Sequence, residues 1–160
     1  MKHLILSPLA LLTAASVAIA GPALLLPAAS GHCQIPCGIY DDAARIDAMQ
    51  EHATSIRKAM GQVGTLHRAG TLESFNQSVR WTMEKDRSAT EIQEIASSYF
   101  LTQRVKAADP ESPQYAQYVA ELQGFHAVLV AAMKCKQQVN TKRVDELDAA
   151  IANIAQWYKE

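Results

Sequence analysis

The sequence predicts an all-α protein, an antiparallel four-helix bundle preceded by a short N-terminal segment of different character. Three observations carry that expectation. Apolar residues recur at helical spacing in four separate stretches. Breaks rich in Gly, Pro, Asp and Asn separate those stretches. Alternating, strand-like runs are scarce, and aromatic residues make up only 6% of the chain.

The first helix follows Asp41 or Asp42, either of which can cap it and place acidic charge at its positive end. Ile46, Met49, Ala53, Ile56 and Met60 then step by 3, 4, 3 and 4, which is one helical face. Gly61 and Gly64 are expected to end this helix, with loop as far as Gly70. A second, longer helix is expected from about Thr71 to Ala107, facing inward with Phe75, Val79, Met83, Ile95, Tyr99 and Thr102. Its apolar pattern weakens between Glu84 and Glu91, where a kink or a solvent-exposed stretch is expected. Ser112 and Pro113 form an N-cap and first-turn proline for a third helix. Its expected inner face carries Tyr115, Val119, Leu122, Phe125 or His126, Leu129 and Met133. Asn140 or Thr141 starts the fourth, whose Val144, Leu147, Ile151, Ile154 and Tyr158 again step by 3, 4, 3 and 4. Four such stripes joined by short connections bury themselves best in one bundle.

Composition agrees with one packed domain. The chain has 160 residues, 49% hydrophobic and 19% charged, enough for a core and too apolar for disorder. A formal net charge of −1 offers no basic field for nucleic acid. No glycine-rich phosphate loop of Walker or dinucleotide type is present.

The N-terminal residues 1–31 read as a leader rather than fold. Met1-Lys2-His3 is a short basic start, and Leu4 to Leu12 supplies an apolar core of secretory length. Small residues then form two cleavage sites, Ala18-Ile19-Ala20 before Gly21 and Ala29-Ser30-Gly31 before His32. An uncleaved membrane anchor is the competing reading, which Pro22 and Pro27 interrupt. Export to the periplasm or the exterior is expected, with cleavage before His32 and no stable membrane association afterwards. The chain then divides into a leader (1–31), a ligand-bearing segment (32–40) and a bundle (41–160).

That middle segment is His32-Cys33-Gln34-Ile35-Pro36-Cys37-Gly38-Ile39-Tyr40. A C-x3-C pair in an exported protein is, taken alone, more often a disulfide than a metal site. No second Cys/His pair offers a tetrahedral zinc cage. The balance shifts if His32 is the mature N-terminus. Its amine, the Cys33 backbone amide and the Cys33 and Cys37 thiolates then make a compact nitrogen–sulfur plane, with the His32 imidazole free to approach axially. Such planar coordination suits nickel(II) or copper(II) better than zinc.

The segment resembles the N-terminal nickel hook of nickel superoxide dismutases, matching at His32, Cys33, Pro36, Cys37, Gly38 and Tyr40. The resemblance implies one nickel ion per subunit, held by His32, Cys33 and Cys37, and disproportionation of superoxide by nickel(II)/nickel(III) cycling. It implies catalytic parts for His32, as the axial ligand, and for Tyr40, standing over the open face. It implies a four-helix bundle assembled as a homohexamer. Asp47 aligns with an acidic residue that orients the axial imidazole, although the family has Glu there. Arg87 is a candidate for a supporting arginine, and Tyr99-Phe100 resembles an aromatic pair at the end of the family's second helix. The alternatives are an exported nickel- or copper-binding protein without turnover, or a structural helical protein with a Cys33–Cys37 disulfide. Cys135 is expected to be a buried thiol. His52, His67 and His126 lack ligand spacing, and Trp81 and Trp157 are expected in packing or at an interface.

Overall fold

The computed structural model describes residues 39–159, so the expected leader 1–31 and the expected ligands His32, Cys33 and Cys37 lie outside the described residues. Within them the chain forms four α-helices and no strand: α1 (Asp42–Ala69), α2 (Leu72–Glu94), α3 (Tyr115–Gln137) and α4 (Thr141–Ala155). A π-helical stretch, Ile95–Arg104, continues α2. Each helix packs on the one before it and α4 closes onto α1, which is the expected bundle.

α1 begins where the sequence places it. The Asp41 side chain accepts from the Ala44 N–H at 3.0 Å, satisfying one of the donors that a helix start leaves unpaired. Ile46, Met49, Ala53, Ile56 and Met60 are all buried, as the periodicity requires. The expected end is wrong. The helix runs through Gly61 and Gly64 and stops only at Gly70, whose φ of 64° is the left-handed C-cap conformation. A glycine inside a helix costs only about 1 kcal/mol of propensity. Termination needs a residue that actually turns the chain, and that residue is Gly70.

α2 corrects the sequence reading more deeply. Its start is as expected, with Thr71 and Ser74 forming a reciprocal capping box. Its expected inner face is only partly right: Ile95 and Tyr99 pack against the core, whereas Phe75 and Met83 are each 67% exposed and Val79 and Thr102 are exposed as well. The buried positions are Ser74, Lys85, Ser88, Ala89 and Ile92. The stretch where the pattern fades is α-helical; it leaves Arg87, Thr90 and Glu91 exposed and turns Lys85, Ser88 and Ala89 inward. Lys85 explains how. Its ammonium donates to the Cys135 and Lys136 carbonyls, each at 2.7 Å, and to Asp86 at 2.7 Å. The last carbonyls of α3 have no partners within that helix, and a buried cation at its negative end supplies them. All three ammonium protons are used.

α3 starts at Tyr115, after a turn in which the Gln114 N–H donates to the Ser112 hydroxyl. Ser112 and Pro113 thus precede the helix instead of opening it. Phe125, and not His126, points inward, and the inner face is completed by Gly124, Val128, Ala131, Ala132 and Cys135. Tyr115, Leu122 and Met133 are 37–41% exposed, and Val119 and Leu129 are half-buried. Small residues win this face because α4 comes close. A Cβ on Gly124 would lie 2.9 Å from both Ile154 and Trp157. α4 follows its expected start, with the Asn140 side chain as cap, and buries Val144, Leu147, Ile151 and Ile154. Near its end the core is aromatic, with Phe100 and Phe125 stacked at 4.9 Å and Tyr158 edge-on to Phe100 at 4.8 Å. Among the described residues no helix is long and apolar enough to cross a membrane.

Candidate metal centre

The ligand-bearing segment enters the described structure at Ile39 and Tyr40, one residue before the cap of α1. Tyr40 is held on two sides. The Arg104 guanidinium lies over its ring at 4.5 Å from the centroid. The Tyr99 ring meets it at 5.9 Å with an interplanar angle of 79°, an edge-on contact.

Both supporting side chains come from the π-helical stretch, and both are anchored on the first turn of α1. Arg104 Nε lies 2.8 Å from Asp42 Oδ1 and Arg104 Nη2 lies 2.7 Å from Asp42 Oδ2, a two-pronged pairing. The hydrogen bond to Asp42 is the main reason the arginine holds its proton more firmly than usual. The Tyr99 hydroxyl donates to Asp42 Oδ1 at 2.7 Å and accepts from the Asp41 N–H at 2.9 Å. Burial first, and then the bond to the Asp42 carboxylate, pushes this phenol up to about 12. Tyr99 is therefore a neutral, doubly bonded phenol at any physiological pH. Arg45 adds a second cation near the Tyr99 ring, 5.4 Å from its centroid.

Beside this cluster lies a cavity of about 410 Å³ lined by Tyr40, Asp42, Arg104, Trp157 and Tyr158. Tyr158 donates to Glu121 at 3.2 Å, and burial raises its phenol well above the ordinary value. The cavity wall thus combines aromatic rings with the Asp42–Arg104 ion pair and the Asp41 cap.

Asp47 is not a member of this cluster. It sits on an exposed face of α1 and pairs with Lys159 at 2.5 Å. Arg87 is also elsewhere, exposed on α2 and paired with Glu84 at 2.7 Å. Sequence reasoning missed Asp42 as more than a cap candidate and missed Arg104 altogether. The only available signal was that Tyr99 and Arg104 stand five residues apart, a spacing with no meaning in an α-helix. Cys135 is a buried free thiol, pushed up to about 11 chiefly by desolvation, as suits a core residue. Among the described residues no group of three or more His, Cys, Asp or Glu side chains could hold a metal ion.

The donor set of the segment fits nickel: two thiolates, an imidazole and backbone nitrogen suit a soft, planar site. Comparison with curated proteins and with solved structures gives no match. The model of the family described as nickel-containing superoxide dismutase matches residues 27–160, which takes in the whole His32–Tyr40 segment and the bundle. Motif, helical bundle and match together place the chain in the nickel-containing superoxide dismutase family.

Proposed function

We propose that this superoxide dismutase holds its nickel through His32, Cys33 and Cys37, with Tyr40 bordering the place where superoxide arrives. The dismutase activity and the nickel cofactor follow from family membership; the residue assignment is our reading. The observation that carries it is the family match across the entire hook. When bound, nickel supplies the one-electron couple that takes an electron from one superoxide and returns it to the next.

The chain's own residues have four tasks in this reading. The Cys33 and Cys37 thiolates and the Cys33 amide would hold the metal. The His32 amine completes the donor set only when His32 is the mature terminus, so cleavage after Gly31 both exports the protein and creates the site. The His32 imidazole would be a further ligand, and Asp47, paired with Lys159, is the acidic residue assigned to orient it. Tyr40 restricts entry and orders water. A form that retains Gly31 or begins with Met before His32 should lose activity, because its terminal amine is displaced. Full activity in a chain shown by mass spectrometry to keep Gly31 overturns the maturation step.

Assembly as a homohexamer is part of the same reading. Its physical support is the exposed apolar stripe on α2, where Leu72 is 79% and Phe75 67% exposed, with Val79 and Met83 on the same flank. A stripe at helical spacing that the chain's own bundle leaves uncovered suits another copy of the chain. Export to the periplasm or exterior completes the proposal.

A further inference from the structure

We propose that Arg104 is a positioning residue for dismutation: clamped by Asp42, it fixes the Tyr40 ring at the end of the nickel hook. The inference rests on the reading above that Tyr40 borders the metal.

The π-helical register makes the clamp possible. In an α-helix, side chains three and four residues apart share a face, so Tyr99 and Arg104 would diverge. In Ile95–Arg104 the hydrogen bonds run back five residues, widening the turn. The Val105 N–H donates to the Phe100 carbonyl at 2.9 Å, and the Thr102 hydroxyl donates to the Ser97 carbonyl at 2.8 Å. Tyr99 and Arg104 consequently reach one acceptor, the Asp42 carboxylate.

Two features distinguish this clamp from a simple tie between helices. Asp42 engages one edge of the Arg104 guanidinium and orients its plane, so that a flat cation lies over the Tyr40 ring at 4.5 Å. Tyr99 gives its proton to Asp42 and accepts from the Asp41 N–H, so it serves as a fixed wall behind Tyr40. The chain also contains a plain tie for comparison. Arg57 on α1 pairs with Asp145 at 2.7 Å and Asp148 at 2.6 Å on α4, without an aromatic partner among the described residues.

The test uses the mature, nickel-loaded enzyme with ¹³C-labelled tyrosine, its Tyr40 signal assigned through Tyr40→Phe. Arg104→Lys keeps the charge and one bond to Asp42 but removes the plane; Arg57→Ala serves as the control tie. Arg104→Lys is expected to keep its nickel, shift the Tyr40 ring resonances and lower kcat/KM by about 10-fold, as loss of supporting contacts at metal sites does. Arg57→Ala is expected to lower the melting temperature only. Adding Arg104→Lys to Tyr40→Ala should cause no further loss, because the arginine acts through that ring. Unmoved Tyr40 resonances, or an Arg104→Lys loss that persists undiminished in the Tyr40→Ala background, overturns the proposal. The underlying reading fails by a different sign: Tyr40→Ala alone would keep full activity.

Discussion

The two ends of α1 solve opposite problems. At the Asp42 end the chain gathers charge and aromatic rings and ties them together: Asp42 with Arg104 and Tyr99, Tyr158 with Glu121. At the Gly70 end it makes a plain glycine turn and leads into a helix that shows Leu72 and Phe75 to the outside. One end is over-determined within a single chain. The other is left incomplete by it. Polar networks that hold a ring in place cannot be supplied late, since a half-satisfied network costs more than none. Apolar stripes can be covered by a second copy, because the hydrophobic effect needs only area.

The most drastic way to sharpen the contrast is to remove the chemistry from one end and leave the fold. Cys33→Ser and Cys37→Ser should each abolish nickel binding and activity, since a hydroxyl is a poor, un-ionised ligand at neutral pH. Metal analysis of the folded variants checks this, and Cys135→Ser serves as the control that should keep its nickel. An emptied site in Cys135→Ser with nickel retained in Cys37→Ser would reverse the ligand assignment.

Next in size is His32→Gln, which keeps the terminal amine and both thiolates. Nickel content should stay nearly normal while activity falls by a large factor and the oxidised nickel signal in electron paramagnetic resonance disappears. Asp47→Ala should be milder, by about 10–100-fold, the usual cost of losing a supporting partner. The double variant should be little worse than His32→Gln alone; multiplicative losses would show that Asp47 acts by another route.

At the level of stability, the two kinds of stripe can be exchanged for measurement. Leu147→Ala, in the buried face of α4, should cost about 2–5 kcal/mol in denaturant unfolding. Phe75→Ser, on the exposed face of α2, should change the unfolding of a single subunit by no more than about 0.5 kcal/mol. Its effect should appear instead in light scattering, as loss of assembly. Equal costs for the two, with assembly intact, would show that α2's stripe is covered within the subunit.

The smallest expected effect lies in the phenols. Tyr99, held near 12, and Tyr158, also raised, should ionise well above the ordinary phenol value of about 10. A native spectrum at pH 11 should therefore show less phenolate absorbance than the denatured one, and Tyr99→Phe should narrow the gap. Because the folded protein binds these protons more tightly than the unfolded chain, the linked stability is complete below pH 10 and fades as pH rises towards about 12 for Tyr99.

Legibility in the sequence follows the same division. α1 and α4 were readable because their large apolar residues and their cores coincide. α2 misled because apolarity marks a face that avoids water without saying which chain covers it, while Lys85 and Ser88 are polar and buried. α3 misled because Gly124, Ala131 and Ala132 line its inner face, where closeness of approach matters more than bulk. Of the candidate centre, the hook was legible through its resemblance to the family motif rather than through its C-x3-C spacing, and the family match spans it. Asp42 and Arg104 were not legible, because they stand 62 residues apart and meet only through a π-helical register. No apolar periodicity announces that register.

The central claim is that cleavage before His32 makes the nickel site. It is tested most directly on protein purified from its native host, by intact mass and nickel analysis of the same active fraction. The expected result is a chain beginning at His32 with one nickel per subunit and dismutase activity. An active, nickel-bearing chain that begins at Gly21 or retains Gly31 would contradict it.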